Sequence, residues 1–157
     1  MAHKYFLGGR KVYPITVNLK NKQVLIIGGG KIAARKIKGL LGEGAHITIV
    51  SPSLHSEIDE KCVTWLKKEY ESTDITPKIQ LIFACTDDKV LNEQVLNDAL
   101  PSQLVNVVSN KETSDFYNMS MIKHQGLKIG ISTEGASPLV AKETRIKLQE
   151  WLKNKEE

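Results

Sequence analysis

Apolar residues in this chain gather into short, dense runs: Gln23–Ile27, Ile47–Val50, Gln80–Cys85 and Leu104–Val108. Runs of this length read as strands buried on both faces, the pattern of a parallel sheet covered by helices. Between them apolar residues recur at helical spacing. Over residues 31–41 that spacing puts Ile32, Ala33, Ile37, Leu40 and Leu41 on an inner face, and Gly42 and Gly44 stop the helix. A second helix is expected from about Lys89 to Leu100, ahead of Pro101. Residues 54–62 predict a short helix, and Thr64–Lys67 a short strand. The order βαβαβαβ implies an open parallel sheet with right-handed crossovers.

After Lys111 the rhythm changes. Residues 115–122 and 127–132 read as strands joined by a polar turn at 123–126, and a helix is expected from about Pro138 to Lys153. Ser137 supplies a capping hydroxyl, and Pro138 suits the first helical position. A hairpin and one helix cannot bury both their faces alone, so this segment is expected to pack on the first domain, on a second subunit, or on both. The chain therefore divides into domains at 1–112 and 113–157.

The first apolar run breaks into Gly28, Gly29 and Gly30, and a helical segment follows at once. The spacing Gly28-x-Gly30-x-x-Ala33 is the glycine fingerprint of a dinucleotide-binding strand, turn and helix. Gly28 permits the tight turn, Gly30 lets a diphosphate approach the backbone, and Ala33 lets helix and strand pack closely. The alternative is a tight turn packed for structural reasons only. The fold class read here is α/β, a Rossmann-like parallel sheet with a short C-terminal segment of hairpin plus helix.

Ligands of such sheets bind beyond the carboxyl ends of the strands, which selects the loops at 28–33, 51–54, 86–88 and 109–112. Lys31 and Ile32 offer backbone N–H groups to phosphate. Lys31 can add its charge, or is simply an exposed lysine at a helix start. The ribose-binding carboxylate expected about 20 residues beyond the glycines is replaced by Ser51, Pro52 and Ser53. These residues leave NAD versus NADP open, and the serines equally suit an ordinary turn. Thr86, Asp87 and Asp88 follow a buried strand. One carboxylate is expected to line a cofactor and the other to cap the next helix.

Composition narrows the classes. With 157 residues, 41% hydrophobic and 25% charged, the chain suits one soluble domain with a small appendage. The net charge of +4 is mild and the lysines are scattered, which argues against nucleic acid. Cys62 and Cys85 form no CxxC pair and have no histidine set nearby, so neither zinc nor a disulfide framework is expected. Nothing reads as a membrane span or signal peptide, and the expected compartment is the cytoplasm. The first dozen residues fit no regular element and are expected to be partly disordered.

Six motifs occur in a recognisable order: Tyr13-Pro14, GGGKIAARK at 28–36, VSP at 50–52, ACTDD at 84–88, NVV at 106–108 and TEGASP at 133–138. In this register the chain resembles the N-terminal module of siroheme synthases, a precorrin-2 dehydrogenase, over residues 13–152. The resemblance implies NAD-dependent oxidation of precorrin-2, a tetrapyrrole, to sirohydrochlorin. It also implies a homodimer formed through the 113–157 segment. The family has a helical region after that segment, most of which is expected to be missing here. Some members also insert ferrous iron.

The resemblance places a catalytic aspartate directly after NVV, where this chain has Ser109 and then Asn110. Serine is a poor general base without an activating partner. Dehydrogenation survives that change more readily than iron insertion, which needs pyrrole protons removed. Glu112 and Asp115 lie nearby but read as solvated loop charges. Small hydroxyl residues near the tetrapyrrole correspond to Thr133 and Ser137, with Ser137 also a helix cap. Glu134 adds negative charge in a loop that is commonly glycine-rich in the family. His124 reads as exposed, and Trp65 and Trp151 as packing residues, Trp151 alternatively as one whose partner belongs to the missing helical region. Two other readings are a catalytically silent NAD- or tetrapyrrole-binding protein and, less well matched, a nucleotide-sensing domain of an ion channel.

Overall fold

The computed structural model describes residues 12–134 and 136–155, so the expectation for the first dozen residues lies almost wholly outside it. These residues form two compact units, one of residues 16–117 and one of residues 12–15 with 118–155.

In the larger unit β1 (Gln23–Ile27), β2 (His46–Val50), β3 (Thr64–Leu66), β4 (Ile79–Ala84) and β5 (Leu104–Val107) form one sheet. Its order is β3-β2-β1-β4-β5, and every neighbouring pair is parallel. Side chains alternate along each strand, so each run supplies both faces. Val24, Ile26, Ile47, Ile49, Leu81 and Phe83 pack with Ala33, Ala34, Ile37 and Leu40 of α1 (Lys31–Leu40). Leu25, Ile27, Val50, Ile82 and Ala84 pack on the other face with Val95 of α2 (Lys89–Asp98). The chain leaves β1 toward one face and β4 toward the other. A crevice opens where those directions part, at the carboxyl ends of the strands.

Three expectations need correction here. Residues 54–62 contain only a 3-10 turn at Glu60–Cys62, and no α-helix joins β2 to β3 or β3 to β4. Ile32 and Leu41 are not on the inner face of α1; each is 42% exposed. Ala33, Ala34, Ile37 and Leu40 occupy the buried stripe. Ile32 falls about 100° to its side, and Leu41 has already left the helix with an extended backbone. Asp115 is no merely solvated charge. Its carboxylate accepts from the Val105 N–H at 2.9 Å and its own N–H donates to the Val105 carbonyl at 2.8 Å. Ser114 Oγ accepts from the Val107 N–H at 2.9 Å. Residues 114–115 thus cover the open edge of β5, which would otherwise present unpaired backbone groups.

In the smaller unit β6 (Ser120–His124) and β7 (Leu127–Ile131) form an antiparallel hairpin. The turn is tighter than the expected 123–126. Gln125 and Gly126 alone make it, both at positive φ, as two-residue hairpin turns require. Residues 115–119 are not strand, and His124 is a half-buried strand end rather than an exposed turn residue. α3 (Pro138–Lys153) packs on this hairpin, burying Ile122 and Ala141. The Ser137 Oγ accepts from the Val140 N–H at 3.2 Å and Pro138 opens the helix, as the sequence implies.

Candidate functional site

The turn after β1 is held by contacts only glycine allows. Gly28 has φ of +100°, and a Cβ there would lie 2.9 Å from the carbonyl carbon and oxygen of Cys85. A Cβ on Gly29 would collide with the Ser53 carbonyl oxygen. That contact is locked from both sides. The His55 N–H donates to the Gly29 carbonyl at 2.7 Å, and Ser51 Oγ donates to the Ser53 carbonyl at 2.8 Å. Gly30 differs: no heavy atom lies within 4 Å of where its Cβ would be. The space the fingerprint reserves for a diphosphate is therefore open.

Gly30 is the N-cap of α1 and offers no side chain to its first N–H groups, and the first turn holds no acid. Such an end attracts anions through its free donors and its dipole. It borders a cleft of about 960 Å³ that brings together Gly28, Gly30, Lys31, Ile32, Ser51, Pro52, Ser53, Thr86 and Asp87. Three of the four expected loops thus meet in one cavity. Tyr70, Val90, Leu91 and Gln94 extend its lining.

Within the cleft, the sequence alternatives separate. Ser51 is buried, its hydroxyl spent on Ser53 and its carbonyl accepting from Trp65 Nε1 at 2.9 Å. It shapes the loop, while Ser53 is exposed. Asp88 is the cap of α2, accepting from the Val90 and Leu91 N–H groups at 2.8 and 3.2 Å. Asp87 is left exposed on the cleft. Ser109, the first exposed residue past β5, is tied to the same end of the sheet by Asn92 of α2.

Cys85 forms the floor beneath Gly28. Burial pushes its thiol up to about 12, against the opposing charges of Lys36 and Arg35. A neutral thiol suits a site for a diphosphate. Lys36 is itself pulled below its ordinary value by burial, its Nζ 5.3 Å from the centroid of the Phe83 ring. At pH 8 a thiol reagent is expected to label exposed Cys62 and spare Cys85 until the protein unfolds; mass spectrometry of alkylated peptides checks this. Because the folded thiol titrates above its ordinary value of 9.0, its contribution to stability is complete below that pH and is lost as pH rises toward about 12.

Thr133 and Ser137 belong to the smaller unit and bond each other. Thr133 Oγ1 donates to the Ser137 carbonyl and accepts from the Ser137 N–H, both at 3.0 Å. Glu134 beside them sits at φ of +52°, a conformation that favours glycine. Trp151 is 55% exposed, not the packing residue its size suggests, whereas Trp65 packs against the α1-side core.

Residues 15–120 match a family model described as "Putative NAD(P)-binding". A precorrin-2 dehydrogenase of Bacillus subtilis (strain 168) is 38% identical over 134 residues, covering 83% of this chain and 82% of that protein. The chain belongs to the NAD-binding precorrin-2 dehydrogenase family. A siroheme synthase of Actinobacillus pleuropneumoniae serotype 3 is 40% identical over 87% of this chain, but the match spans only 29% of its length. Among solved structures, "SirC, precorrin-2 dehydrogenase" superposes with a TM-score of 0.79 at 34% identity, covering 88% of this chain and 70% of that one.

Two residues matter that the fingerprint spacing does not mark: Gly29, which lines the cleft, and Asn92, which is buried and bonds Thr86 of its wall. Gly29 fills an "x" of the fingerprint, and only the approach of the 51–55 loop makes it obligatory. Asn92 shares the inner face of α2 with Val95, three positions on, and both are fully buried. A polar residue on an apolar stripe was the available signal. Lys31 is exposed at the cleft mouth, where either of its readings places it.

Proposed function

We propose that this chain oxidises precorrin-2 to sirohydrochlorin. The observation that carries the proposal is the cleft around Gly30, which joins an uncapped helix start to open space in a chain of this family. In the reaction the macrocycle gives up a hydride and a proton. NAD, when bound, supplies the hydride acceptor. The Lys31 and Ile32 N–H groups hold the diphosphate, with the Lys31 ammonium adding charge. Ser53 and Pro52 flank the ribose, positioned by Ser51, and Thr86 and Asp87 line the opposite wall. On the resemblance, Ser109, which lies at the same end of the sheet but outside the lining of the cleft, offers its hydroxyl to the departing proton's path. On the resemblance alone, Thr133 and Ser137 are candidates for contact with the macrocycle. Ferrous iron insertion is not part of the proposal, because Ser109 brings no carboxylate for pyrrole deprotonation.

Purified protein, NAD and precorrin-2 are expected to yield sirohydrochlorin absorbance together with NADH. No excess over a protein-free control ends the enzymatic reading.

Among the described residues no helix is long and apolar enough to cross a membrane. A cytoplasmic location and a small-molecule tetrapyrrole substrate without nucleic acid are part of the same reading. So is a homodimer paired through residues 113–157. Leu127, Leu139 and Trp151, each more than half exposed on the hairpin and α3, support the dimer. Sedimentation equilibrium is expected to give twice the chain mass; a monomer at micromolar concentration would dismiss it.

A further inference from the structure

Asn92 is fully buried, yet it carries an amide that must be satisfied on both sides. Its Oδ1 accepts from the Thr86 N–H at 3.1 Å and lies 2.8 Å from Thr86 Oγ1, whose one hydrogen it shares with the Asp88 carbonyl at 2.9 Å. Its Nδ2 donates to the Thr86 carbonyl at 3.0 Å and to Ser109 Oγ at 3.2 Å. Both amide N–H groups are in use, and the oxygen is held by the Thr86 N–H, so neither side of the amide is left unsatisfied. The orientation is not arbitrary, because a backbone N–H needs the oxygen and a backbone carbonyl needs the nitrogen. The side chain therefore acts as one more strand partner for Thr86, just where β4 ends.

Three of these bonds stay within residues 86–92 and suffice to shape the turn. The fourth leaves that turn and crosses to the loop after β5, where it reaches a side chain on the surface. An exposed serine hydroxyl ordinarily rotates among its staggered positions. Here the Asn92 N–H occupies one lone pair of Ser109 Oγ, so the hydroxyl hydrogen must point elsewhere.

We propose that Asn92 is a positioning residue for the reaction. It joins the loops after β4 and β5 and fixes the orientation of the Ser109 hydroxyl that the departing proton meets. The inference rests on the proposed dehydrogenase reading. It assigns Asn92 no contact with cofactor or substrate; its effect passes through Ser109.

The test is a double-mutant cycle of Asn92→Asp and Ser109→Ala. Asn92→Asp keeps the acceptor for Thr86 and the side-chain volume but removes the amide donors. Each single change is expected to lower kcat by about tenfold, as loss of one positioned hydrogen bond would. The KM for NAD is expected to stay within about threefold, and the double variant to be no slower than the worse single one. In Asn92→Asp the introduced carboxyl can donate only when protonated, so kcat falls as pH rises through its pKa, a limb absent from wild type. Effects that multiply, or an unchanged pH profile, overturn the positioning role.

If Asn92→Asp does not fold, Ser109→Asp gives a second reading that needs no turnover. Carbon NMR is expected to show the introduced carboxyl titrating below the ordinary aspartate range, because the Asn92 amide donates to its charged form. Titration at or above that range overturns the proposal. Wild-type protein that binds NAD without turning over precorrin-2 removes the dehydrogenase reading and this role with it. An active wild type with multiplying effects removes only the role of Asn92.

Discussion

Gly29→Ala is expected to destabilise the protein by about 3 kcal/mol and to abolish NAD binding. The added methyl meets the Ser53 carbonyl oxygen, which is backbone and cannot rotate away. Relief requires moving either the β1–α1 turn or the 51–55 loop. The Gly29–His55 backbone bond and the Ser51–Ser53 bond hold both in place. The neighbouring change separates folding from binding. Gly30 has φ of −80° and open space about its missing Cβ, so alanine fits there without backbone strain. Gly30→Ala is therefore expected to shift stability by less than about 1 kcal/mol. It is expected to weaken NAD by about tenfold or more, because the methyl fills the approach to the helix N–H groups. Urea melts and calorimetric titration of both variants check the pair. A Gly30→Ala protein with undiminished NAD affinity would show that the diphosphate does not sit there.

The second large effect is a gain. Ser109→Asp is expected to raise kcat by roughly tenfold to a hundredfold, toward the low end of what a positioned general base supplies. The position directly follows the NVV motif at 106–108, where the resemblance places an aspartate. The site is already furnished for an anion, because Asn92 Nδ2 points a donor at the side-chain oxygen. That donor favours the ionised carboxyl, so the variant's activity should rise with pH through the carboxyl's pKa and then level. Steady-state kinetics of NADH formation over a pH series measures it. An unchanged kcat would place the proton's acceptor elsewhere in the cleft.

Strand and helix identity was largely legible because it is written at short range. The run Gln23–Ile27, the glycines behind it and the caps Asp88 and Ser137 each depend on residues a few positions apart. The failures have one character. The sequence of 54–62 predicts a short helix, but that segment is fixed by distant contacts: Leu54 and Ile58 drop into the α1-side core and His55 bonds Gly29. Residues 115–119 looked like a strand, yet 114–115 bond sideways to β5 as an edge cover. Ile32 matched an apolar helical pattern, but the fold turned it toward the cleft, where an exposed apolar side chain has a use.

The amino-acid sequence by itself determined an α/β sheet with a glycine turn for a dinucleotide, since hydrophobic period and turn chemistry act between residues near in the chain. Only the tertiary structure decided why Gly29 cannot change, which serine shapes the loop and which faces the cleft, and how Asn92 reaches Ser109 across 17 positions. Those are matters of which backbone oxygens and amides meet in space, and parallel strands bring together groups that no local spacing relates.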